Sequence, residues 1–81
     1  MSGVKVIVKY FGVVAEKVGK PEEEMTMADL AKLSLLRETI EKQYPDLEVT
    51  TYRLSVNKKL IEDCELADGD EVALLPPFAG G

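Results

Sequence analysis

The chain has 81 residues, 46% of them hydrophobic and 31% charged, which suits one compact domain; no apolar run approaches the roughly 20 residues needed to cross a bilayer. Ten Lys and Arg against fifteen Asp and Glu give a formal charge of −5, which disfavours the phosphate neutralisation on which nucleic-acid binding rests. With no His and a single Cys, His-dependent nucleophile pairs, His-containing zinc sites, an internal disulfide and multi-thiolate metal sites are all excluded, and no metal site is expected.

Val4 to Tyr10 alternates and is rich in β-branched residues, so it reads as a first strand. Lys5 and Lys9 set its parity: Val4, Val6, Val8 and Tyr10 face the core, and Ile7 and Phe11 share the lysine face. Gly12 to Gly19 reads as a short helix or turn closed by Gly19, and Glu22 to Met27 as a second strand in a hairpin with the first. Leu33, Leu36, Ile40 and Tyr44 recur at helical spacing and, with Leu30 and Leu47, paint one stripe of a helix placed near 30–44 and ended by Pro45. Its cap is ambiguous between a capping box at Thr26-Met27-Ala28-Asp29 and Ser34.

Thr51 to Val56 alternates again, with Tyr52, Leu54 and Val56 inward and Arg53 and Ser55 outward. Asn57-Lys58 supplies a turn into a short fourth strand at Leu60-Ile61. Cys64, flanked by Asp63 and Glu65, sits where acidic neighbours raise a thiol pKa, so its role is read as structural. Leu66 to Asp70 carries turn residues, and Glu71 to Leu75 is the last strand, with Val72 and Leu74 inward. One helix stripe against one face of a mixed sheet gives an α+β roll, with strands one and five able to pair in parallel at its centre.

After Leu75 the sequence changes to Pro76-Pro77-Phe78-Ala79-Gly80-Gly81. Successive prolines stiffen the chain away from the body, so residues 1–75 are expected to form the domain and 76–81 a protruding tail. Phe78 has no core position to occupy and is expected to be exposed until a partner buries it. Gly80 and Gly81 carry no side chains, so a terminal carboxylate on Gly81 could pass a narrow channel and meet a bulky electrophile such as ATP. Function is expected at that carboxylate. The amino-terminal residues lack the apolar core of a secretion signal, which makes the cytoplasm the expected compartment.

Leu66 to Val72, followed by Leu75-Pro76-Pro77-Phe78-Ala79-Gly80-Gly81, resembles the small, sulfur-carrying MoaD-type subunit of molybdopterin synthase, in the ubiquitin-like, ThiS superfamily. Lys9 to Gly12, Glu16 to Gly19 and Ile40 to Pro45 resemble the same family in the same order. The resemblance implies a ubiquitin-like β-grasp fold. It implies that a ubiquitin-activating-like enzyme uses ATP to adenylate Gly81, that a sulfur donor protein displaces AMP to leave a thiocarboxylate, and that no cofactor is permanently bound. It also implies insertion of the tail into the large synthase subunit, in an assembly of two small and two large subunits. There sulfur would pass to cyclic pyranopterin monophosphate, building the dithiolene that binds molybdenum or tungsten. The catalytic groups would belong to the partners.

Parity supplies a companion expectation. Ile7 and Phe11 leave the first strand outward, and Ala73 and Leu75 leave the last strand on the same side; as neighbours they would form one apolar patch at the base of the tail. The resemblance places partner contacts at Phe11, Leu60 and Leu75. Rival readings are a thiamine-pathway sulfur carrier, which also ends in Gly-Gly, a ubiquitin-like modifier joined to lysines through Gly81, and a purely structural interaction domain.

Overall fold

Alternation in Val-Lys-Val-Ile-Val-Lys-Tyr produces β1 (Val4–Tyr10) in the computed structural model, which describes residues 3–49 and 52–77. There follow α1 (Gly12–Val18), β2 (Glu22–Met27), α2 (Leu33–Gln43), a 3-10 turn (Pro45–Val49), β3 (Arg53–Val56), β4 (Lys59–Leu60) and β5 (Glu71–Leu75). The strands form one sheet in the order β2-β1-β5-β3-β4. Its central pair, β1 and β5, is parallel, and the other pairs are antiparallel. This is the expected α+β roll, a β-grasp arrangement.

Parity holds where the core is. Val6, Val8, Val72 and Leu74 are fully buried against Leu33, Leu36 and Ile40 of α2 and Val14 of α1, in one apolar cluster. Gly19 closes α1 in the left-handed conformation, φ 88°, and its N–H bonds the Ala15 carbonyl, a conformation that costs glycine nothing. Glu23, on the inner face of β2, accepts hydrogen bonds from the Tyr10 hydroxyl at 2.5 Å and the Tyr44 hydroxyl at 2.8 Å. The two rings meet edge to face at 6.1 Å. Burial, then the bond to Glu23, pushes the Tyr10 hydroxyl pKa up. Burial alone would raise the Glu23 carboxyl, but the two tyrosines and Lys20 bring it below its ordinary value.

The start of α2 departs from expectation. Leu30 is 72% exposed, with a left-handed φ of 67°, and the helix begins only at Leu33. Thr26 belongs to β2, Ser34 lies inside the helix, and the residue at the N-cap, Lys32, makes no side-chain cap. The cap comes instead from a distant loop: Asp63 Oδ1 accepts the Ser34 N–H at 3.0 Å and the Cys64 N–H at 2.9 Å. The Ser34 bond is the main cause holding the Asp63 carboxyl below its usual value, as expected for a carboxylate on free N–H groups of a helix start. Leu47 is buried as expected, but from the 3-10 turn rather than the helix.

Two further boundaries move: β3 begins at Arg53, with Tyr52 outside the strand, and β4 begins at Lys59. Asn57 and Lys58 have φ of 51° and 72°, a two-residue turn with both central residues left-handed, so pairing resumes at Lys59 and β4 is Lys59–Leu60 rather than Leu60-Ile61. Ser55 lies on the outer face as parity requires, yet is only 4% exposed, because it is flanked in register by Ala73 and Leu60. Thr51 lies outside the described residues.

The 66–72 segment is a brace. Asp68 accepts the Lys5 N–H, Asp70 accepts the Ala67 N–H and the Asn57 side-chain amide, and Asn57 accepts the Glu71 N–H, all within 3.0 Å. It thereby fixes the start of β5 against both β1 and the β3–β4 turn.

Candidate functional site

The register of the three neighbouring strands decides what meets on the outer face. Lys9 pairs with Ala73, Ala73 with Ser55 and Ser55 with Leu60, forming one row across the sheet. The Phe11 N–H continues the parallel ladder to the Leu74 carbonyl at 3.2 Å, and Leu75 pairs with Arg53, so Phe11, Leu75 and Arg53 form the next row. Across these rows, and on to Glu71 and Lys58 beyond them, extends a concavity of about 380 Å³ lined by Phe11, Ser55, Lys58, Leu60, Glu71, Ala73 and Leu75. Phe11 is 43% and Leu60 47% exposed; Ala73 and Leu75 are half-buried.

Four of the five residues expected on this surface are thus brought together. Ile7 is not among the lining residues. It has the right parity, but its neighbours in register are Glu24 and Glu71, and the ion pair between Lys9 Nζ and Glu71, 2.9 Å, crosses the diagonal between Ile7 and Ala73. That hydrogen-bonded pair raises the Lys9 pKa and lowers that of Glu71, so the acid in the lining is already compensated. Ser55, Lys58 and Glu71 were not expected here. Only the register reveals them.

The root of the tail is held beside this surface. Gly12 opens α1 with φ 56°, and a Cβ on it would lie 2.7 Å from Pro76 Cγ, a contact that only glycine avoids. Pro76 is buried and Pro77 exposed in a turn, so packing with the body runs through Pro76. Phe78, Ala79, Gly80 and Gly81 lie outside the described residues.

Other chemistry is sparse. Among the described residues no group of three or more His, Cys, Asp or Glu side chains is placed to hold a metal ion, and no helix is long and apolar enough to cross a membrane. Cys64 is half-buried; burial first, then Asp70 and Asp63, pushes its thiol up, away from the reactive thiolate.

Comparison with known proteins gives a consistent result. The chain is 35% identical over 82 residues to the molybdopterin synthase sulfur carrier subunit of Mycobacterium tuberculosis, covering 96% of this chain and 99% of that one. A solved structure of a candidate molybdopterin converting factor subunit 1 from Pyrococcus furiosus superimposes with a TM-score of 0.86 at 32% identity, over 91% of this chain and 98% of that one. A chain in the complex of subunits 1 and 2 of the molybdopterin-converting factor of Helicobacter pylori gives 0.68 at 28% identity, over 96% of this chain and 100% of that one. The model of the ThiS family matches residues 8–81, and the chain belongs to that family.

Proposed function

We propose that this protein is the sulfur-carrier subunit of a molybdopterin synthase. The observation that carries the reading is the 35% identity to a sulfur carrier subunit over nearly the whole of both chains. The geometry supports it with an uncovered apolar concavity at the foot of the tail, where a large subunit would dock on Phe11, Leu60, Ala73 and Leu75. An adenylating enzyme joins the Gly81 carboxylate to AMP from ATP, releasing pyrophosphate; a sulfur donor then displaces AMP and leaves a thiocarboxylate. The activated acyl group matters because a free carboxylate is a poor acyl donor to a sulfur nucleophile. With Pro76 seated on Gly12, the segment Pro77 to Gly81 reaches up to about 3.3–3.6 Å per residue into the partner, where the large subunit supplies the catalytic groups. Glycines at the tip let the thiocarboxylate enter a narrow channel.

Incubation with ATP, an adenylating enzyme and a sulfur donor, followed by intact-mass measurement, tests this. One oxygen replaced by sulfur is expected in the wild type and not after deletion of Gly81. Unchanged mass, normal loading of the deletion variant, or isopeptide conjugates to lysines in place of sulfur loading would overturn the reading.

A further inference from the structure

Both arginines of the chain, Arg37 and Arg53, line a single cleft of about 650 Å³, with Tyr52, Leu54, Leu60, Ile61 and one acid, Glu62. The cleft exists because β4 has only two residues. Beyond Ser55 the Ile61 N–H bonds the Leu54 carbonyl at 3.3 Å. Leu60 lines both this cleft and the docking concavity, so the two adjoin at one side chain.

The two arginines are not equivalent. Arg37 Nε donates to Glu41 at 3.2 Å, its guanidinium stands 5.3 Å from the centre of the Tyr52 ring, and the Tyr52 hydroxyl donates to the same Glu41 oxygen. Its charge is compensated and its position fixed. Arg53 is exposed and takes part in none of the ion pairs among the described residues. The same holds for Lys58, on the other side of Leu60. In a chain of net charge −5, the β3–β4 rim of the apolar face thus carries two cations, Arg53 and Lys58, beside Glu62 of the cleft and Glu71, whose carboxyl Lys58 helps to lower. On the β1 side, the cation Lys9 is already neutralised by Glu71.

Arg53 is the register partner of Leu75. Any protein that covers Leu75 therefore strips water from the flank of a guanidinium that has no ion-pair partner among the described residues, which is unfavourable unless a counter-charge arrives with it. We propose that Arg53 is the charge contact of the docking face and receives a carboxylate from an acidic segment of the protein that covers Phe11, Leu60 and Leu75. This inference rests on the docking reading above. The planar guanidinium suits a two-pronged bond to a carboxylate, and Lys58 adds a second positive charge across Leu60.

Association kinetics with the large subunit of molybdopterin synthase, at about 0.05 and 0.5 M salt, test it, using wild type, Arg53→Glu, Arg53→Lys and Leu75→Glu. Arg53→Glu is expected to slow association about tenfold at low salt, with a smaller deficit at high salt, and an unchanged urea midpoint. Arg53→Lys should retain most of the rate. Wild-type association by Arg53→Glu while Leu75→Glu fails to bind overturns this inference and leaves the docking reading standing. A deficit of the same size at both salt concentrations points to lost packing and also overturns it. Normal binding by both variants removes the docking reading and this inference together.

Discussion

Leu74 and Leu75 are chemically identical neighbours on β5, yet one is fully buried under the helices and the other half-buried on the opposite face beside Phe11. The same contrast holds for Val8 against Ile7 and for Val72 against Ala73. Both faces of the central strands are apolar, but the helices and their Val14, Leu33, Leu36 and Ile40 side chains cover only one of them. Residue type therefore does not separate the core face from the outer face of this sheet; strand parity and what lies over each face do.

The largest expected effect lies on the covered face. Leu74→Ala should cost about 2–5 kcal/mol of folding stability, the usual range for emptying a packed leucine site, measured by urea unfolding. If it costs no more than Leu75→Glu, the register of β5 is off by one and the two faces must be exchanged.

Gly12→Ala comes next, because it strains the junction where the outer face meets the tail. A left-handed non-glycine residue costs on the order of 1–3 kcal/mol, and its Cβ would lie 2.7 Å from Pro76 Cγ. Thermal unfolding should record the loss, and adding Pro76→Ala should restore part of it. No recovery in the double variant would show that the Pro76 contact is not what glycine is needed for.

A smaller effect is expected from pH at the margin of the inner face. The folded Glu23 carboxyl lies below its ordinary 4.5, so between the two values the unfolded chain binds more protons and stability falls as pH drops below about 4.5. Glu23→Gln should make that fall shallower without abolishing it, because Asp63 and Glu71 are lowered too. Identical acid-unfolding curves for wild type and variant would remove Glu23 from the account.

The smallest stability effect belongs to the uncovered face: Leu75→Glu should change folding stability by no more than about 0.5 kcal/mol, as is usual for surface positions. A loss comparable to that of Leu74→Ala would mean that the outer face is core.

How far these differences were legible depended on distance along the chain. β1 and β5 were readable to the residue, because alternation and β-branching are local properties of Val4–Tyr10 and Glu71–Leu75. The start of α2 was not, since its cap comes from Asp63, 29 residues after Ser34, and no local pattern marks it. Leu30 fitted the helical spacing but lies before the first turn. For the candidate site, parity placed Phe11, Ala73 and Leu75 on the outer face, where the structure has them, and could not separate Ile7 from them, because the Lys9–Glu71 pair that divides them depends on the β1–β5 register. Ser55, Lys58 and the place of Arg53 beside Leu75 became visible only once β3 was set between β5 and β4.

The most direct test of the central claim, that the covered face makes the fold and the uncovered face makes the complex, is a calorimetric titration of folded Leu75→Glu into the large synthase subunit. A glutamate there stays hydrated in the free carrier but must be desolvated in an apolar contact, so binding should be weakened at least about tenfold. Wild-type affinity in a variant of unchanged stability would contradict the account.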